Sequence, residues 1–406
     1  MQIPTHVAAI MKRLEQQGYE CYTVGGCVRD SLLGLTPHDW DVCTNARPEQ
    51  VQTVFEDVTC VPTGLRHGTV TVVWEHVPIE ITTYRTEGGY SDGRHPDTVN
   101  FVGCVEQDLS RRDFTVNAMA YHPVHGLVDP FGGREDLKNS VLRCVGTAAQ
   151  RFEEDALRIL RALRFAACYG FTIELETARA LEEYAPHLDC VAAERVRAEL
   201  DRLLLGRHVG EVLRAHRRVL LPVLPELEAM FDFDQCNPHH HLDVFEHTVK
   251  AVECAKEVLT VRLALLLHDI GKPCCFTKDE KGIGHFYGHP SVSESMAESI
   301  LKRLRYDRAT MERVLLLIKY HDPVIEPTEA AVKRWLHRLG EECFRQLLWV
   351  KEGDCLGQHP SLAMERLPKL DVIREVLDEV MAGAQCFSLK DLAINGLDVM
   401  ELCRPV

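Results

Sequence analysis

The stretch that decides the fold of the N-terminal part is Val24-Gly25-Gly26-Cys27-Val28-Arg29-Asp30, followed by Asp39-Trp40-Asp41-Val42. The paired glycines predict a strand, Cys21–Val24, that turns directly into a helix, Gly26–Leu33. The two acids lie at the next predicted strand, Trp40–Cys43: Asp39 directly precedes it and Asp41 is its second residue. Because residues i and i+2 of a strand share a face, we expect Asp39 and Asp41 to point the same way.

This arrangement predicts metal-assisted nucleotidyl transfer. Exposed glycine backbone at a helix start suits phosphate, and two aligned carboxylates suit Mg²⁺ together with substrate phosphates. Two ions on Asp39 and Asp41 would activate a 3′-hydroxyl and stabilise the leaving pyrophosphate. Glu80, in the predicted strand Ile79–Tyr84, is a candidate third carboxylate. An Asp-x-Asp alone also fits a turn after Pro37, and the preceding Gly-Gly-x-x-Arg-Asp run makes the pattern specific.

Two further runs supply candidate nucleotide ligands. The first is Arg111-Arg112-Asp113, in which we expect Arg112 to hold a triphosphate and Asp113 to orient an arginine or cap a helix; a surface ion pair is the alternative. The second begins at Glu154, consists of good helix formers and predicts one uninterrupted helix. That helix would carry Asp155, Arg158, Arg161 and Arg164 in a row.

Asp155 and Arg158 have the chemistry to read a base. Cytosine and adenine both present an amino donor beside a ring-nitrogen acceptor, so a carboxylate and a guanidinium together can pair with either. Guanine and uracil present the reverse polarity and would leave buried groups unpaired. The pair would therefore select C and A without a template. The alternative is a simple i,i+3 salt bridge, worth about 0.2–0.5 kcal/mol.

A second set of residues predicts a metal site in the C-terminal half. His268 and Asp269 follow an apolar predicted helix, Val261–Leu267, and a buried His-Asp pair there suits a metal better than a core. His247 and Asp322 complete the expected ligand set. Further candidates nearby are His285, His289 and His321. A lone His-Asp dipeptide is common, so the prediction depends on the whole pattern.

Composition and periodicity give the organisation of the chain, which has 406 residues and a net charge of −15. We predict an α+β protein: a small α/β nucleotidyltransferase head with a short mixed sheet (1–140), followed by helical segments over 141–235 and 236–330 and a helical tail (331–406). No run of 18 apolar residues or secretory signal occurs, so no membrane span is expected. Scattered cysteines favour reduced thiols and a cytoplasmic location. The acidic charge argues against a general nucleic-acid coat but leaves room for a basic stripe.

The ordered motifs resemble those of bacterial class II tRNA nucleotidyltransferases, the CCA-adding enzymes, over residues 1 to about 235. The Ala193–Leu200 stretch resembles that family's neck helix, where Glu194 to Glu199 would support the neck. The resemblance implies Mg²⁺ on Asp39 and Asp41, and repair of the tRNA 3′-CCA end with CTP and ATP. It implies that the nucleotide is bound by Gly25, Gly26, Arg29, Arg112, Asp155, Arg158, Arg161 and Arg164. Residues 88–96 are rich in glycine and polar side chains, which predicts a mobile loop. The wider 84–96 stretch resembles the flexible loop that the family needs for the final A.

Several alternatives remain open at this point. Relatives of this family include enzymes that add only CC, only A or poly(A). The pattern of His247, His268, Asp269 and Asp322 resembles an HD domain. The two resemblances together imply that 141–235 is a helical neck and tRNA-binding body and that 236–330 is a helical HD domain. The HD pattern implies an unspecified divalent metal and a possible phosphohydrolase acting on RNA ends. A further alternative is a phosphohydrolase whose head only positions RNA. The stretch Leu389–Asp398 resembles the start of the family's C-terminal region.

Overall fold

The structure, a computed structural model, describes residues 1–90, 96–238 and 241–383. Contacts divide the chain into two compact units. The first contains residues 1–200 and 218–223, and the second contains 201–217 and the chain from 224 onward. The finer division at 140, 235 and 330 stays a prediction. Residues 239–240 and the whole 389–398 stretch lie outside the described residues.

A seven-stranded mixed sheet forms the centre of the first unit. Its strand order is β3-β4-β5-β2-β1-β8-β9, in which only β2 and β5 are parallel. The strands are β1 (Cys21–Val24), β2 (Asp41–Thr44), β3 (Cys60–Gly64), β4 (Thr69–Trp74), β5 (Val77–Thr83), β8 (Ala120–His122) and β9 (Gly126–Val128). Outside it lie the hairpin β6 (Arg85–Gly88) with β7 (Thr98–Phe101), and the short pair β10 (Val141–Leu142) with β11 (Thr172–Ile173). The predicted mixed sheet is confirmed.

Helices cover the sheet and continue the first unit. They are α1 (Thr5–Gln16), α2 (Gly26–Leu32), α3 (Pro48–Val54), α4 (Val105–Ser110), α5 (Gly133–Lys138), α6 (Ala148–Glu154), α7 (Leu157–Tyr169) and α8 (Leu175–Tyr184). Helix α9 (Ala193–Leu204) begins in the first unit and ends in the second. Successive residues of β2 enter different cores: Val42 packs with Ile10 and Phe55, whereas Cys43 packs with Tyr84. This alternation across a pleated strand explains why both faces of the sheet are buried.

Two local predictions in this unit are wrong. The expected single helix from Glu154 is interrupted, because Asp155 is extended (φ −152°) and α7 begins only at Leu157. The carboxylate of Asp155 accepts a hydrogen bond from the Leu157 N–H, at 3.1 Å, and so satisfies a helix-end donor. The 84–96 stretch, which the resemblance implies is a flexible loop, contains β6, which pairs with β7 over its whole length.

Over its described residues, the second unit is helical apart from one short hairpin, β12 (Thr277–Lys278) with β13 (Gly284–His285). Its helices are α10 (Val209–Ala215), α11 (Val244–Cys254), α12 (Leu259–Leu267), α13 (His289–Arg303), α14 (Arg308–Lys319), α15 (Glu329–Leu339), α16 (Glu341–Gly357) and α17 (Pro360–Ala382). Helix α11 packs against α12 and α16. Within the described ranges, no helix combines the length and apolar character needed to cross a membrane.

Candidate active site and candidate metal centre

Three carboxylates, Asp39, Asp41 and Glu80, form what we call the acidic trio. Asp41 opens β2, and Glu80 is its register partner on the parallel strand β5, so both side chains leave the same face of the sheet. Asp39 lies before the strand rather than within it, and its side chain is 83% exposed. Its Oδ1 lies 3.0 Å from Nδ1 of His38. Strand pairing therefore positions two of the acids, and the preceding loop positions the third.

The electrostatics of the acidic trio favour a cation. Burial raises the pKa of Asp41 to about 6; the charge of Arg112 lowers it, and the charges of Glu80 and Asp39 raise it again. A carboxyl group that ionises with difficulty beside two other acids gains most from a divalent cation, which holds it ionised. Oxygen-only donors at an exposed edge suit a hard ion such as Mg²⁺. The residues present therefore fit the metal that the motif predicts.

Gly25 brings Arg112 close to the turn between β1 and α2. Its φ of +79° is left-handed, and a Cβ added there would lie 2.8 Å from Nη1 of Arg112. Any other residue would be strained and would also displace the guanidinium. Arg112 is anchored from behind by Asp108, whose Oδ2 lies 3.4 Å from Nη2. The structure thus brings the glycine turn and the triphosphate candidate together, as the sequence predicts.

Arg29 is held more firmly by protein groups than the sequence suggests. Its Nε donates to Asp30, its Nη1 to Asn117 at 2.6 Å and its Nη2 to the Tyr169 hydroxyl at 2.7 Å. The guanidinium also stacks over the rings of Phe165 and Tyr169. These contacts make Arg29 a brace between α2 and α7, in addition to its predicted nucleotide contact.

Arg161 and Arg164 belong to one ion-pair network. Asp113 accepts from Nε and Nη2 of Arg161, at 2.9 and 2.6 Å. Although burial raises it, the charge of Arg161 holds the pKa of Asp113 well below its usual range. Glu199 of α9 pairs with Arg164 at 2.7 Å and with Arg161 at 3.6 Å. The expectation that Asp113 orients an arginine fits this geometry, with Arg161 as the partner, and Glu199 supports the neck helix.

Asp155 and Arg158 have separate partners rather than each other. Arg195 donates to Oδ2 of Asp155 at 2.7 Å, and Arg158 donates to Glu154 at 2.6 Å. The break after α6 causes this, because Asp155 no longer shares a helix face with Arg158. Sequence reasoning missed Glu154 as a partner, although the i,i+4 spacing of Glu154 and Arg158 is a recognisable signal.

A buried cluster in the second unit contains His247, His268, Asp269, His289, His321 and Asp354; we call it the histidine cluster. His247 lies on α11, and Nε2 of His247 and of His268 are 3.3 Å apart. Both nitrogens lie 3.2 Å from Oδ2 of Asp269. Oδ1 of Asp354 lies 3.0 Å from His247 and 3.5 Å from His268. Imidazole and carboxylate donors that converge in this way can hold a divalent metal.

The other two histidines approach Asp269 from its opposite oxygen. Nε2 of His289 lies 3.3 Å from Oδ1, and Nε2 of His321 lies 3.9 Å from it. The two nitrogens are 3.2 Å apart. Neither oxygen of Asp269 receives a well-aligned hydrogen bond, although both are buried. Nζ of Lys272 lies 2.7 Å from Oδ2, whereas Oδ1 lies among ring nitrogens, so a cation bound there would balance the charge on that side of the carboxylate.

The charges of the histidine cluster also favour a bound cation. Although burial raises their pKa values, the neighbouring histidines hold the pKa of Asp269 and of Asp354 well below the usual range. Burial lowers the pKa of His321 to about 3, so its ring is neutral. For His268, burial lowers the pKa, but the two carboxylates raise it to about 10. A cation would replace that proton at Nε2.

Asp354 is a candidate ligand that sequence reasoning missed. It lies on α16 between two glycines, at 353 and 357, that let α16 approach α11 closely. A Cβ on Gly353 would meet the Ala251 carbonyl oxygen at 2.9 Å, and one on Gly357 would meet His247 Nδ1 at 2.8 Å. Two glycines inside a helix are costly, which is the signal that could have found the site. The predicted ligand Asp322 is exposed and belongs to neither group of converging ligand atoms among the described residues.

Three family models match the chain in order. They are the "Poly A polymerase head domain" at 21–143, the "Probable RNA and SrmB- binding site of polymerase A" at 170–231, and the "HD domain" at 239–380. A CCA-adding enzyme of Leuconostoc mesenteroides is 48% identical over 217 residues, 53% of this chain and 54% of that protein. One of Lactiplantibacillus plantarum is 42% identical over 254 residues, 61% of this chain and 62% of that protein. The chain thus spans about half to three-fifths of the length of these curated relatives.

Solved structures cover more of the chain. The Bacillus stearothermophilus CCA-adding enzyme in complex with CTP has a TM-score of 0.71 and 28% identity, over 100% of this chain and 89% of that one. The Thermotoga maritima CCA-adding enzyme complexed with tRNA has a TM-score of 0.58 and 20% identity, over 98% and 87%. At that lower identity the second likeness concerns the fold alone. Together they confirm the predicted fold class, a mixed-sheet head followed by helices.

Proposed function

We propose that this chain, which belongs to the CCA-adding tRNA nucleotidyltransferase family, builds and repairs the 3′-terminal CCA of tRNA from CTP and ATP. Pyrophosphate would be released at each addition. The observation that carries the proposal is the register of Asp41 with Glu80, beside Asp39 and next to the Gly25–Arg112 contact. This combination offers acids for a metal and a cation for phosphate at one strand end.

The chain's own residues would divide the work as follows. Asp39, Asp41 and Glu80 would hold Mg²⁺, which supplies Lewis acidity toward the attacking hydroxyl and the leaving pyrophosphate when it is bound. Arg112 would pair with the triphosphate, and Gly25 and Gly26 would leave room for its approach. Asp113 and Glu199 would keep Arg161 and Arg164 oriented toward the nucleotide.

The partners follow from the same proposal. A relative of similar fold is described in complex with CTP, which supports a nucleotide at this site. The tRNA would be held by its acceptor arm through phosphate contacts, which read shape rather than sequence. The described cysteines are thiols and not disulfides, which supports activity in the reducing cytoplasm.

Primer extension tests the proposal. The substrates are tRNA ending before CCA, before CA and before A, each supplied with one nucleotide at a time. We expect C, C and A to be added in turn; a block after CC, addition of A alone, or continued A addition would instead identify the narrower or poly(A) relatives. Replacing both Asp39 and Asp41 by Ala should abolish incorporation, whereas His268→Ala should preserve it. The opposite result would assign the chemistry to the second unit.

We also propose a second activity, metal-dependent hydrolysis of phosphoesters at RNA ends, by the histidine cluster. The buried, poorly hydrogen-bonded carboxylate of Asp269 among four histidines favours it. A bound divalent metal supplies an activated water there. Release of phosphate or opening of a cyclic phosphate on a short RNA, lost in His268→Ala and retained in the double head variant, tests this activity.

A further inference from the structure

Two stacked aromatic rings follow the short hairpin of the second unit. His285 ends β13 and Tyr287 comes two residues later; their ring centroids are 5.3 Å apart and their planes are inclined by 9°. Phe286, between them, packs against Phe276 instead. His285 and Tyr287 therefore lie on one side of the chain and Phe286 on the other, as expected at the end of a strand. We call the stacked pair of His285 and Tyr287 the aromatic platform.

The histidine ring of the aromatic platform is held in place by the hairpin. Nε2 of His285 lies 3.2 Å from Oδ2 of Asp279. Oδ1 of Asp279 accepts hydrogen bonds from the N–H groups of Lys281 and Ile283, at 2.9 and 2.8 Å, so the turn between β12 and β13 orients this carboxylate. Tyr287 therefore stacks on a ring that the backbone of the turn fixes through Asp279.

The tyrosine ring of the aromatic platform is open to a ligand. Tyr287 is 77% exposed, although His285 covers one face of its ring. A Cβ added at Gly288 would meet no described atom within 4 Å beyond its own chain neighbours, so the space beside Tyr287 is free as well. A tyrosine held from behind in this way offers a surface on which another planar ring can stack.

The aromatic platform and the histidine cluster line the same cavity. Asp269, His289 and His321 contribute to its wall, together with Lys272 and both rings of the platform. Nζ of Lys272 lies 3.0 Å from the amide oxygen of Gln235, which helps to hold the ammonium group in the cavity. One cavity thus combines a positive charge, which suits a phosphate, with an exposed planar ring, which suits a base.

The volume of the cavity, about 260 Å³, indicates where each part of a ligand would lie. Pockets that enclose a whole ligand measure about 300–1,000 Å³, so this one is slightly too small for a complete nucleotide. It has room for a phosphoester and its sugar, whereas a base would stay outside, against the exposed ring of Tyr287. A single-stranded nucleic-acid end has this division, because its backbone is charged and its bases stack on aromatic side chains.

We propose that the aromatic platform binds the unpaired terminal base of an RNA end while the phosphoester of that nucleotide lies in the cavity beside Lys272. The ligand class is a nucleotide with a phosphate on its 2′ or 3′ oxygen. The proposal rests on the phosphoester hydrolysis proposed above for the histidine cluster and adds how the substrate is recognised. Stacking accepts every base, since each has a π-face, so the site requires a base without reading its identity.

A pair of substrates that differ only in the base tests the proposal. They are adenosine 2′,3′-cyclic phosphate and methyl riboside 2′,3′-cyclic phosphate, which has the same sugar and phosphate but no base. In the reaction water adds to phosphorus, one P–O ester bond breaks, and the released sugar oxygen takes a proton. The enzyme is the full chain with Asp39→Asn and Asp41→Asn, which silence the head, in the presence of Mn²⁺.

Tyr287→Ala should lower the ratio of kcat/KM for the adenosine substrate to that for the base-free substrate about tenfold. The loss should be an increase in KM for the adenosine substrate, because a stacked base contributes equally to the ground state and the transition state. Tyr287→Phe retains the ring and should restore the ratio. Val324→Ala, an 83% exposed apolar residue that does not line this cavity, is the matched control. Far-ultraviolet circular dichroism and a melting curve check the fold of each variant.

A binding measurement separates the aromatic platform from the hydrolysis. The probe is 2-aminopurine riboside 2′,3′-cyclic phosphate, whose fluorescence is quenched when its base stacks on another ring, and rapid mixing records the signal before turnover. We expect quenching by the protein that carries Tyr287 or Tyr287→Phe, and loss of quenching in Tyr287→Ala.

The outcomes that contradict the platform differ from those that contradict the hydrolysis. If both cyclic phosphates are hydrolysed and Tyr287→Ala leaves their ratio unchanged, the platform is wrong and the proposed activity stands. An equal loss with both substrates also overturns the platform, because Tyr287 would then act on the cavity rather than on the base. If neither substrate is hydrolysed, the proposed activity is wrong, and the platform stands or falls with the quenching that depends on Tyr287.

Discussion

The acidic trio and the histidine cluster are both candidate metal sites, yet they are built differently. The acidic trio has only oxygen donors, one of them on a side chain that is 83% exposed, and it has no histidine ligand. The histidine cluster is buried and rich in nitrogen donors, and three of its rings are fixed from behind by backbone carbonyls. The first site suits an ion that arrives with a triphosphate, and the second suits ions that stay.

The largest effect should come from Asp41→Asn. We expect nucleotide incorporation to fall about 10³-fold, roughly 4 kcal/mol, because the ion loses its most central carboxylate. Stability should not fall, since burial and the neighbouring acids already disfavour the charge on Asp41. Single-turnover primer extension and a chemical denaturation curve measure the two effects.

Glu56→Gln, an exposed acid elsewhere in the first unit, is the matched control and should change neither quantity. A variant of Asp41 that loses stability along with activity would contradict the first half of the comparison. It would mean that this carboxylate supports the fold rather than an incoming ion.

Asp269→Asn should have the opposite pattern. Removing this charge takes from the buried side chains of His268 and Lys272 the carboxylate that lies nearest to each of them, and breaking a buried ion pair costs about 3–5 kcal/mol. We therefore expect the metal-free protein to lose roughly 3 kcal/mol in the free energy of unfolding of the second unit. Asp322→Asn is exposed and should change it by less than about 0.5 kcal/mol. Equal stability in both variants would show that the ion pairs of Asp269 do not stabilise the metal-free second unit.

Chelation tests which of the two sites holds a metal ion in the absence of substrate. An ion that binds only the folded state stabilises it by about 2.7 kcal/mol at a concentration of 100 Kd. Treatment with a chelator should therefore lower the melting temperature of the second unit, and Mn²⁺ should restore it. His268→Ala should remove the shift, whereas Asp41→Asn should retain it. If the change in melting temperature were lost in Asp41→Asn and retained in His268→Ala, the metal that stays bound would belong to the acidic trio.

The same contrast explains how much the sequence predicted. Local patterns were sufficient for the first strand, whose predicted and observed bounds are both Cys21–Val24, and for the helix at the paired glycines. Asp41 and Glu80 came from the same kind of pattern, because strands fix the direction of alternate residues. Strand β3 was missed, since Cys60–Gly64 contains a proline and a glycine that suppress strand propensity.

What the sequence could not provide is contact between distant segments. Asp354 reaches the histidine cluster only because α16 packs against α11, about a hundred residues earlier in the chain. Asp322 looked equivalent in sequence, since it directly follows His321, but it points to the surface. The break in the helix at Asp155 was also missed. The Asp155 side chain accepts a hydrogen bond from the Leu157 N–H, and this contact competes with continuation of the helix. Helix propensity alone does not include such a contact.

The smallest effect concerns base selection. One oxygen of Asp155 accepts a hydrogen bond from the Leu157 N–H and the other accepts one from Arg195. The carboxylate is therefore already oriented, but a base would share it with these two donors. Asparagine there would present a donor where cytosine and adenine offer their amino groups. Bidentate base contacts discriminate by about 1–3 kcal/mol, and a shared acceptor should give the lower end of that range.

We therefore expect Asp155→Asn to raise incorporation of UTP relative to CTP about tenfold, roughly 1.4 kcal/mol, while metal retention by the histidine cluster stays unchanged. Glu153→Gln is the matched control and should preserve selectivity, because Glu153 lies two residues away and its carboxylate accepts a hydrogen bond from the Tyr184 hydroxyl. The measurement is the ratio of kcat/KM for the two nucleotides on tRNA lacking CCA. An equal loss of rate with both nucleotides would assign Asp155 to the helix cap and to Arg195 alone. The head would then need a different reader for the base, whereas its acidic trio would keep its role, since metal binding and base reading depend on separate residues.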